Sequence, residues 1–304
     1  MEIARVPLWA IAVRFLFFYT AQALACSRWN LLLTLNGISL KFWAALHLHF
    51  LGVFTSCFLP GSVGGDAIKI AALAKQKQGR TGRIIATTVL DRLLGTFSIL
   101  VVALCVLPRL CHWIDLKSLA THVSIYYIAA CVVVISALVF WLLYQNAWKW
   151  KQTEFGKKLI EGFGRVRLLA HEWRQHPMVF AQGFLVSLIT LLTSTLGAYA
   201  ILVGMNVEIS YMDFLSVTLI MYFINLLPIT VNGLGVTEVS SVVLLGLFGV
   251  SSEQALAFAV LGRCLFLISV APFALFRHPK SAAAHTPDVD SVSETERSDQ
   301  SEKR

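Results

Sequence analysis

Charged residues are scarce in this chain. Of its 304 residues, 14% are Asp, Glu, Lys or Arg, whereas soluble domains average about 25%. So few charges cannot cover a water-facing surface, and 57% of the residues are apolar. The composition therefore excludes a soluble enzyme and a disordered protein. It indicates a polytopic membrane protein, because each spanning helix needs about 20 mostly apolar residues.

Several motifs of soluble proteins are also missing. The six cysteines include no CxxC pair, which argues against zinc and thiol-redox sites and favours free thiols. No glycine-rich turn continues into Gly-Lys-Ser/Thr, so a nucleotide-binding phosphate loop is excluded. The net charge of +8 would suggest nucleic acid in a soluble chain, but basic residues of membrane proteins collect in cytoplasmic loops. We therefore expect no nucleic-acid partner, no metal and no cofactor.

Apolar runs are what the sequence has in abundance. Their length and their lack of strict alternation predict helices rather than barrel strands. The runs lie at about 7–26, 43–59, 84–107, 123–144, 178–203, 213–227, 238–250 and 254–276. We therefore predict an all-α polytopic membrane domain, a helical bundle, over residues 1–278. A polar tail over residues 279–304 is predicted to be disordered.

Basic loops orient the predicted bundle. Lys75, Lys77, Arg80 and Arg83 follow the second run, and a basic linker at about 145–177 is predicted to carry an interfacial amphipathic helix. Cytoplasmic loops are enriched in Lys and Arg, so both segments should face the cytoplasm. The same alternation of spans predicts a cytoplasmic C-terminus.

Two stretches interrupt the helical pattern and resemble each other. Residues 58–69 and 226–238 each contain a proline, closely spaced glycines and a carboxylate between two apolar segments. Proline removes a backbone donor and glycine adopts conformations that other residues resist, so both stretches predict broken or re-entrant helical hairpins. The residues to which we assign this helix-breaking role are Pro60, Gly61, Gly64, Gly65, Pro228, Gly233 and Gly235.

An arginine follows each stretch at nearly the same distance. Arg92 follows Gly65 by 27 residues, and Arg263 follows Gly235 by 28. The distribution of basic residues among the loops predicts that the two hairpins enter the membrane from opposite faces. The sequence therefore predicts two halves related as an inverted repeat, as in many transporters. The alternative is two kinked, packed spans without a binding site.

Ionisable residues inside the apolar runs mark the candidate site. Each such charge costs about 2.5–3.5 kcal/mol on insertion scales, so it is a functional candidate by default. Free amides and the positive dipole end at a broken helix suit an anionic group such as a lipid phosphate. The candidate substrate-binding residues are Asp66, Lys69, Asp91, Arg92, Glu238 and Arg263. Arg92 is expected to pair with Asp66 or Glu238, and the alternative is a set of purely structural ion pairs.

These motifs resemble those of one family. They are Pro60-Gly61-(Ser62)-Val63-Gly64-Gly65-Asp66, Asp91-Arg92, Asn232-Gly233-Leu234-Gly235-(Val236-Thr237)-Glu238 and the earlier Arg28-Trp29. Together they resemble the lysylphosphatidylglycerol synthase transmembrane-region family, also called flippase-like domain proteins. The resemblance covers about residues 10–277 and adds Asn232 to the candidate substrate-binding residues. Lys69 stands where the family more often has arginine.

The resemblance implies a protein of the bacterial or archaeal inner membrane, and we expect it not to be an enzyme. Such a protein would move an anionic phospholipid or a lipid-linked molecule between leaflets. Two-domain members also carry a soluble aminoacyl-transferase domain, but only the polar tail follows Arg277, so we expect a stand-alone member without synthase activity.

Candidate partners besides the lipid are a second copy of the chain and a separate lipid-modifying enzyme. Two alternatives stay open: an intramembrane transferase with Asp66 or Glu238 as general base, and a non-transporting partner of a lipid-modifying enzyme.

Overall fold

A computed structural model describes residues 6–58, 63–77, 79–113, 177–226 and 233–275 of the chain. These residues form eight α-helices and no strand, which confirms the predicted all-α class. The helices are α1 (Leu8–Leu35), α2 (Phe42–Ser56), α3 (Val63–Gln76), α4 (Thr81–Trp113), α5 (Pro177–Gly204), α6 (Tyr211–Leu226), α7 (Val236–Gly246) and α8 (Ser252–Leu275).

Four of the described helices are long and apolar enough to cross a membrane. The spans are Leu8–Leu35, Thr81–Val106, Pro177–Gly204 and Ser252–Phe273, which lie in α1, α4, α5 and α8. Large apolar side chains such as Leu16, Leu104 and Ile268 are exposed on the surface of these helices. Such a surface is suited to lipid rather than water, and the chain is a multi-pass membrane protein.

Both predicted interruptions separate two packed helices. α2 ends at Ser56 and α3 begins at Val63, while α6 ends at Leu226 and α7 begins at Val236. α2 packs against α3, and α6 packs against α7. Each interrupted stretch therefore folds as a pair of short helices rather than as one continuous rod.

The first helix is longer than the predicted run at 7–26. It continues to Leu35 through Arg28, Asn30 and Thr34. The apolar run predicted from hydropathy ends before these polar residues. The helix continues because each of their side chains makes a hydrogen bond or an ion pair. Arg28 pairs with another helix, Asn30 donates to the Leu40 carbonyl, and Thr34 donates to a carbonyl one turn earlier.

α1 and α5 pack side by side and run in opposite directions. Along α1, Ala10 faces Gly204, Arg14 faces Gly197 and Arg28 faces Gly183. Each contact therefore pairs an α1 residue with a glycine of α5, which lets the two long helices approach closely, as small residues do in membrane proteins.

In each half, the first helix of the interrupted pair packs against the long helix of the other half. α2 packs against α8, where Phe50 and Phe273 stack with ring centroids 3.8 Å apart. α6 packs against α4, where Leu215 and Leu219 join Val106 in a buried cluster. The long helix α4 also packs on α3, and α8 packs on α7. These contacts place the helix that follows each interruption beside a long helix.

Several predicted features lie outside the described residues. They are the span at 123–144, nearly all of the basic linker at about 145–177, the polar tail at 279–304, and the residues Pro60, Gly61, Pro228 and Asn232.

Candidate functional site

A charged cluster lies between α3 and α4 in the first half of the chain. Asp66, in the first turn of α3, accepts a hydrogen bond on Oδ2 from Nε of Arg92 at 2.5 Å. Its Oδ1 lies 3.3 Å from Nζ of Lys69, one turn further along α3. The structure thus places Asp66, one of the two carboxylates expected for Arg92, between two cations. Asp66 and Lys69 are buried, whereas the Arg92 side chain is 55% exposed.

The buried lysine also contacts Trp29 of α1. The Nζ atom of Lys69 lies 4.3 Å from the centre of the Trp29 ring, a cation–π contact. The indole Nε1 of Trp29 donates to Oγ1 of Thr88 on α4 at 3.3 Å. Trp29 is fully buried, so the lysine ammonium is enclosed by an aromatic face and a carboxylate.

Asp91 faces away from this cluster and pairs with Arg28. The Nε atom of Arg28 donates to Oδ1 of Asp91 at 2.7 Å, and its Nη1 donates to Oγ of Ser187 at 2.6 Å. Both charged side chains are 9% exposed. This pair joins α1, α4 and α5, so the neighbouring residues Asp91 and Arg92 hold α4 against different helices. Asp91 is thereby placed in a buried interhelical ion pair.

A second carboxylate–arginine pair lies between α7 and α8. Oε1 of Glu238 accepts from Nε of Arg263 at 2.5 Å, and its Oε2 accepts from the backbone N–H of Gly235 at 2.7 Å. Nη2 of Arg263 also donates to the Gly233 carbonyl at 3.3 Å. Glu238 therefore closes the N-terminus of α7, where a negative charge is favoured by the helix dipole.

The glycines of the two interruptions have different structural roles. Gly233 and Gly235 have φ angles of +68° and +81°, a backbone region that favours glycine. Gly64 and Gly65, to which the sequence analysis gave the same helix-breaking role, lie within α3 instead. A Cβ at Gly65 would lie 2.1 Å from the Gly52 carbonyl oxygen of α2. Gly65 is therefore required for the contact between two helices and not for a turn.

Sequence reasoning missed part of this arrangement. The sequence pattern predicted no contact for Arg28 or Trp29, which belong to a family motif, and none for Ser187. One sequence signal does point to the contact of Arg28. Arg28 follows an apolar run that contains no carboxylate, so a carboxylate that pairs with it must lie on another segment. Arg14, the other arginine of α1, contacts α5, where its Nη1 lies 3.5 Å from the Ser194 carbonyl. Across the described ranges, no group of three or more His, Cys, Asp or Glu side chains is placed to hold a metal ion.

Most of the chain matches one known family. Residues 2–273 match the family described as Lysylphosphatidylglycerol synthase TM region. The chain belongs to this family. No curated protein and no solved structure matches the chain. The predicted resemblance is confirmed, and membership connects the chain to a lipid-related function in the membrane.

Proposed function

We propose that this protein is a lipid flippase that moves a phospholipid or a lipid-linked molecule between the leaflets of the membrane. The headgroup would be held in a polar site between the two interrupted helices, while the acyl chains stay in the bilayer. The observation that carries this proposal is the repeated carboxylate–arginine pair. Asp66–Arg92 and Glu238–Arg263 each join the helix after an interruption to the next long helix.

The contacts between helices support an inverted repeat. α1 and α5 are antiparallel and each has 28 residues, and each is followed by a pair of short helices and then by a long helix. The contact of α2 with α8 is matched by the contact of α6 with α4. An inverted repeat has two equivalent conformations that open to opposite sides of the membrane, which is how many transporters work.

The same contacts favour a site shared by the two halves. α8 carries Arg263 and packs against α2 of the first half, while α4 carries Arg92 and packs against α6 of the second half. Each arginine thus lies on a helix that also contacts the hairpin of the other half. Charged groups are costly inside a membrane unless they face a polar cavity or each other, so this placement favours a common hydrophilic path.

The proposed location is the bacterial inner membrane with the C-terminus in the cytoplasm. Arg80 and Arg83 donate to the carbonyls of Gly37 and Asn36 just after α1. The end of α1 and the start of α4 therefore lie at the same face of the protein. This face also carries Lys75 and Lys77, and an excess of basic residues is typical of the cytoplasmic side.

The test is lipid movement in vesicles that contain the purified full-length chain. Asp66→Asn, Arg92→Ala and Glu238→Gln should each insert normally but slow the movement of a labelled lipid about tenfold, since each removes a charge-assisted hydrogen bond of the site. The matched control is Glu208→Gln, which changes an exposed carboxylate between α5 and α6.

Two outcomes would contradict the proposal. One is a wild-type rate equal to that of protein-free vesicles for both anionic phospholipids and lipid-linked sugars. The other is unchanged activity in all three variants, which is what a non-transporting membrane partner of a lipid-modifying enzyme predicts.

A further inference from the structure

The two carboxylate–arginine pairs differ in how many donors the arginine still has available. Arg263 donates to Glu238 and to the Gly233 carbonyl, and its side chain is 19% exposed. Arg92 donates through Nε to Asp66, and this is the one hydrogen bond it makes within the described part of the chain. A guanidinium has five N–H donors. Among the described residues, the Nη edge of Arg92 therefore has donors available for a ligand, on a side chain that is 55% exposed.

The two pairs also differ in charge. Asp66 is shared by Arg92 and Lys69, so these three residues carry one net positive charge. The adjacent Asp91 does not cancel it, because Asp91 is already paired with Arg28.

The pair in the second half is balanced by contrast. Glu238 and Arg263 carry one charge of each sign. The residue three positions after Glu238, which corresponds to Lys69, is Ser241. It is buried and donates to the Thr237 carbonyl of its own helix. An anion is therefore attracted to the first pair more strongly than to the second.

We propose that the first half holds a phosphate subsite formed by the Nη edge of Arg92, with Lys69 as the second positive charge. A planar guanidinium binds two phosphate oxygens at once, which a lysine cannot do. The chemical class is a phosphate ester or free phosphate. Its identity as the headgroup of the transported lipid rests on the proposed function. Glu238–Arg263 then closes the N-terminus of α7 and contributes to the polar path of the lipid, but it does not bind the phosphate.

The surroundings of Arg92 suit such a subsite. Asp66 holds Arg92 through Nε and is also paired with Lys69, which the Trp29 ring covers, so the Nη edge can bind a ligand while the carboxylate keeps both partners. A carboxylate without a partner would be costly at membrane depth. The Arg28–Asp91 pair fixes α4 at the residue next to Arg92. Arg28 and Trp29 are thus positioning residues of the subsite.

The proposal is tested by calorimetric binding to the purified full-length chain in a neutral detergent. The ligands are dihexanoyl-phosphatidylglycerol, inorganic phosphate, and dihexanoylglycerol as the matched lipid without phosphate. Arg92→Gln should weaken phosphate binding about tenfold or more, because charge-assisted hydrogen bonds are lost. Arg263→Gln is the matched control and should weaken it less than about threefold. Arg92→Lys should give an intermediate affinity, since the charge stays and the fork is lost.

One set of outcomes identifies the ligand, and another set would show that the subsite does not exist. Tighter binding of the phosphatidylglycerol than of phosphate identifies a lipid headgroup, whereas equal binding identifies free phosphate, and both support the subsite. Equal losses in Arg92→Gln and Arg263→Gln, equal binding of dihexanoylglycerol, or absence of binding by the wild type would overturn it.

A second variant and a parallel transport assay cover the cases in which Arg92→Gln does not fold or the wild type moves no lipid. If Arg92→Gln does not purify as a folded protein, Lys69→Met should still weaken phosphate binding several-fold while leaving the affinity for dihexanoylglycerol unchanged, and a failure to do so contradicts the subsite. Lipid movement by the wild type in vesicles, measured in parallel, shows whether the flippase proposal fails together with the subsite or independently of it.

Discussion

The α2–α3 pair of the first half and the α6–α7 pair of the second half begin from similar sequences and are built differently. In the first, Gly65 lets α3 lie directly on the backbone of α2 at Gly52. In the second, Gly233 and Gly235 form a turn with positive φ angles, and Glu238 caps the helix that follows. A proline, two glycines and a carboxylate thus specify an interruption, but they do not specify whether glycine serves a helix contact or a turn.

The interior of the two halves differs in the same way. The first half contains a buried Arg28–Asp91 pair and a buried Lys69. In the second half, Gly262 stands at the position that corresponds to Asp91, and Ser241 stands at the position that corresponds to Lys69. The first half therefore has more buried charges, whereas the ion pair of the second half also bonds the backbone at Gly233 and Gly235. The following substitutions test that difference.

The largest effect is expected for Arg28→Met. It leaves Asp91 buried without its cation, and breaking one side of a buried pair costs about 3–5 kcal/mol. The free energy of unfolding, measured by SDS titration in mixed micelles, should fall by that amount. The double variant Arg28→Met with Asp91→Leu removes both charges and should recover much of the loss. A double variant as unstable as the single one would show that the pair does not hold the helices together.

A smaller loss is expected for Gly65→Ala. The new Cβ would lie 2.1 Å from the Gly52 carbonyl oxygen, so α2 and α3 must separate. Overpacking of this kind costs about 1–3 kcal/mol, and the upper end applies because the obstacle is backbone. The same unfolding assay on Gly246→Ala is the control, since no heavy atom lies within 4 Å of that added Cβ. Equal stabilities of the two variants would contradict the close contact of α2 and α3.

The smallest of the three effects is expected for Gly235→Ala. Its φ of +81° is unfavourable for alanine, and the substitution should lower the free energy of unfolding by about 1–2 kcal/mol. Gly262→Ala, in the interior of α8 with open space around it, should instead be neutral or stabilising by up to about 1 kcal/mol. If Gly235→Ala were as stable as the wild type, the turn before α7 would not need glycine.

Local sequence signals predicted the helices and their interruptions well. Long apolar runs predicted the spans in α1, α4, α5 and α8, because a membrane helix satisfies its backbone within one segment. The end of α1 was missed, since hydropathy cannot show that Arg28 finds a carboxylate on α4. The role of Gly65 was missed for a similar reason, because glycine favours both turns and close helix contacts.

The sequence by itself determined that this chain is helical, that it spans a membrane and where its charged residues lie, because composition and spacing act within one segment. Only the tertiary structure decided how the charges combine: Asp66 with both Arg92 and Lys69, Asp91 with Arg28, and Glu238 with Arg263. Those choices depend on which helices meet and at what height along their lengths. That geometry is set by packing between residues far apart in the chain, and no local pattern contains it.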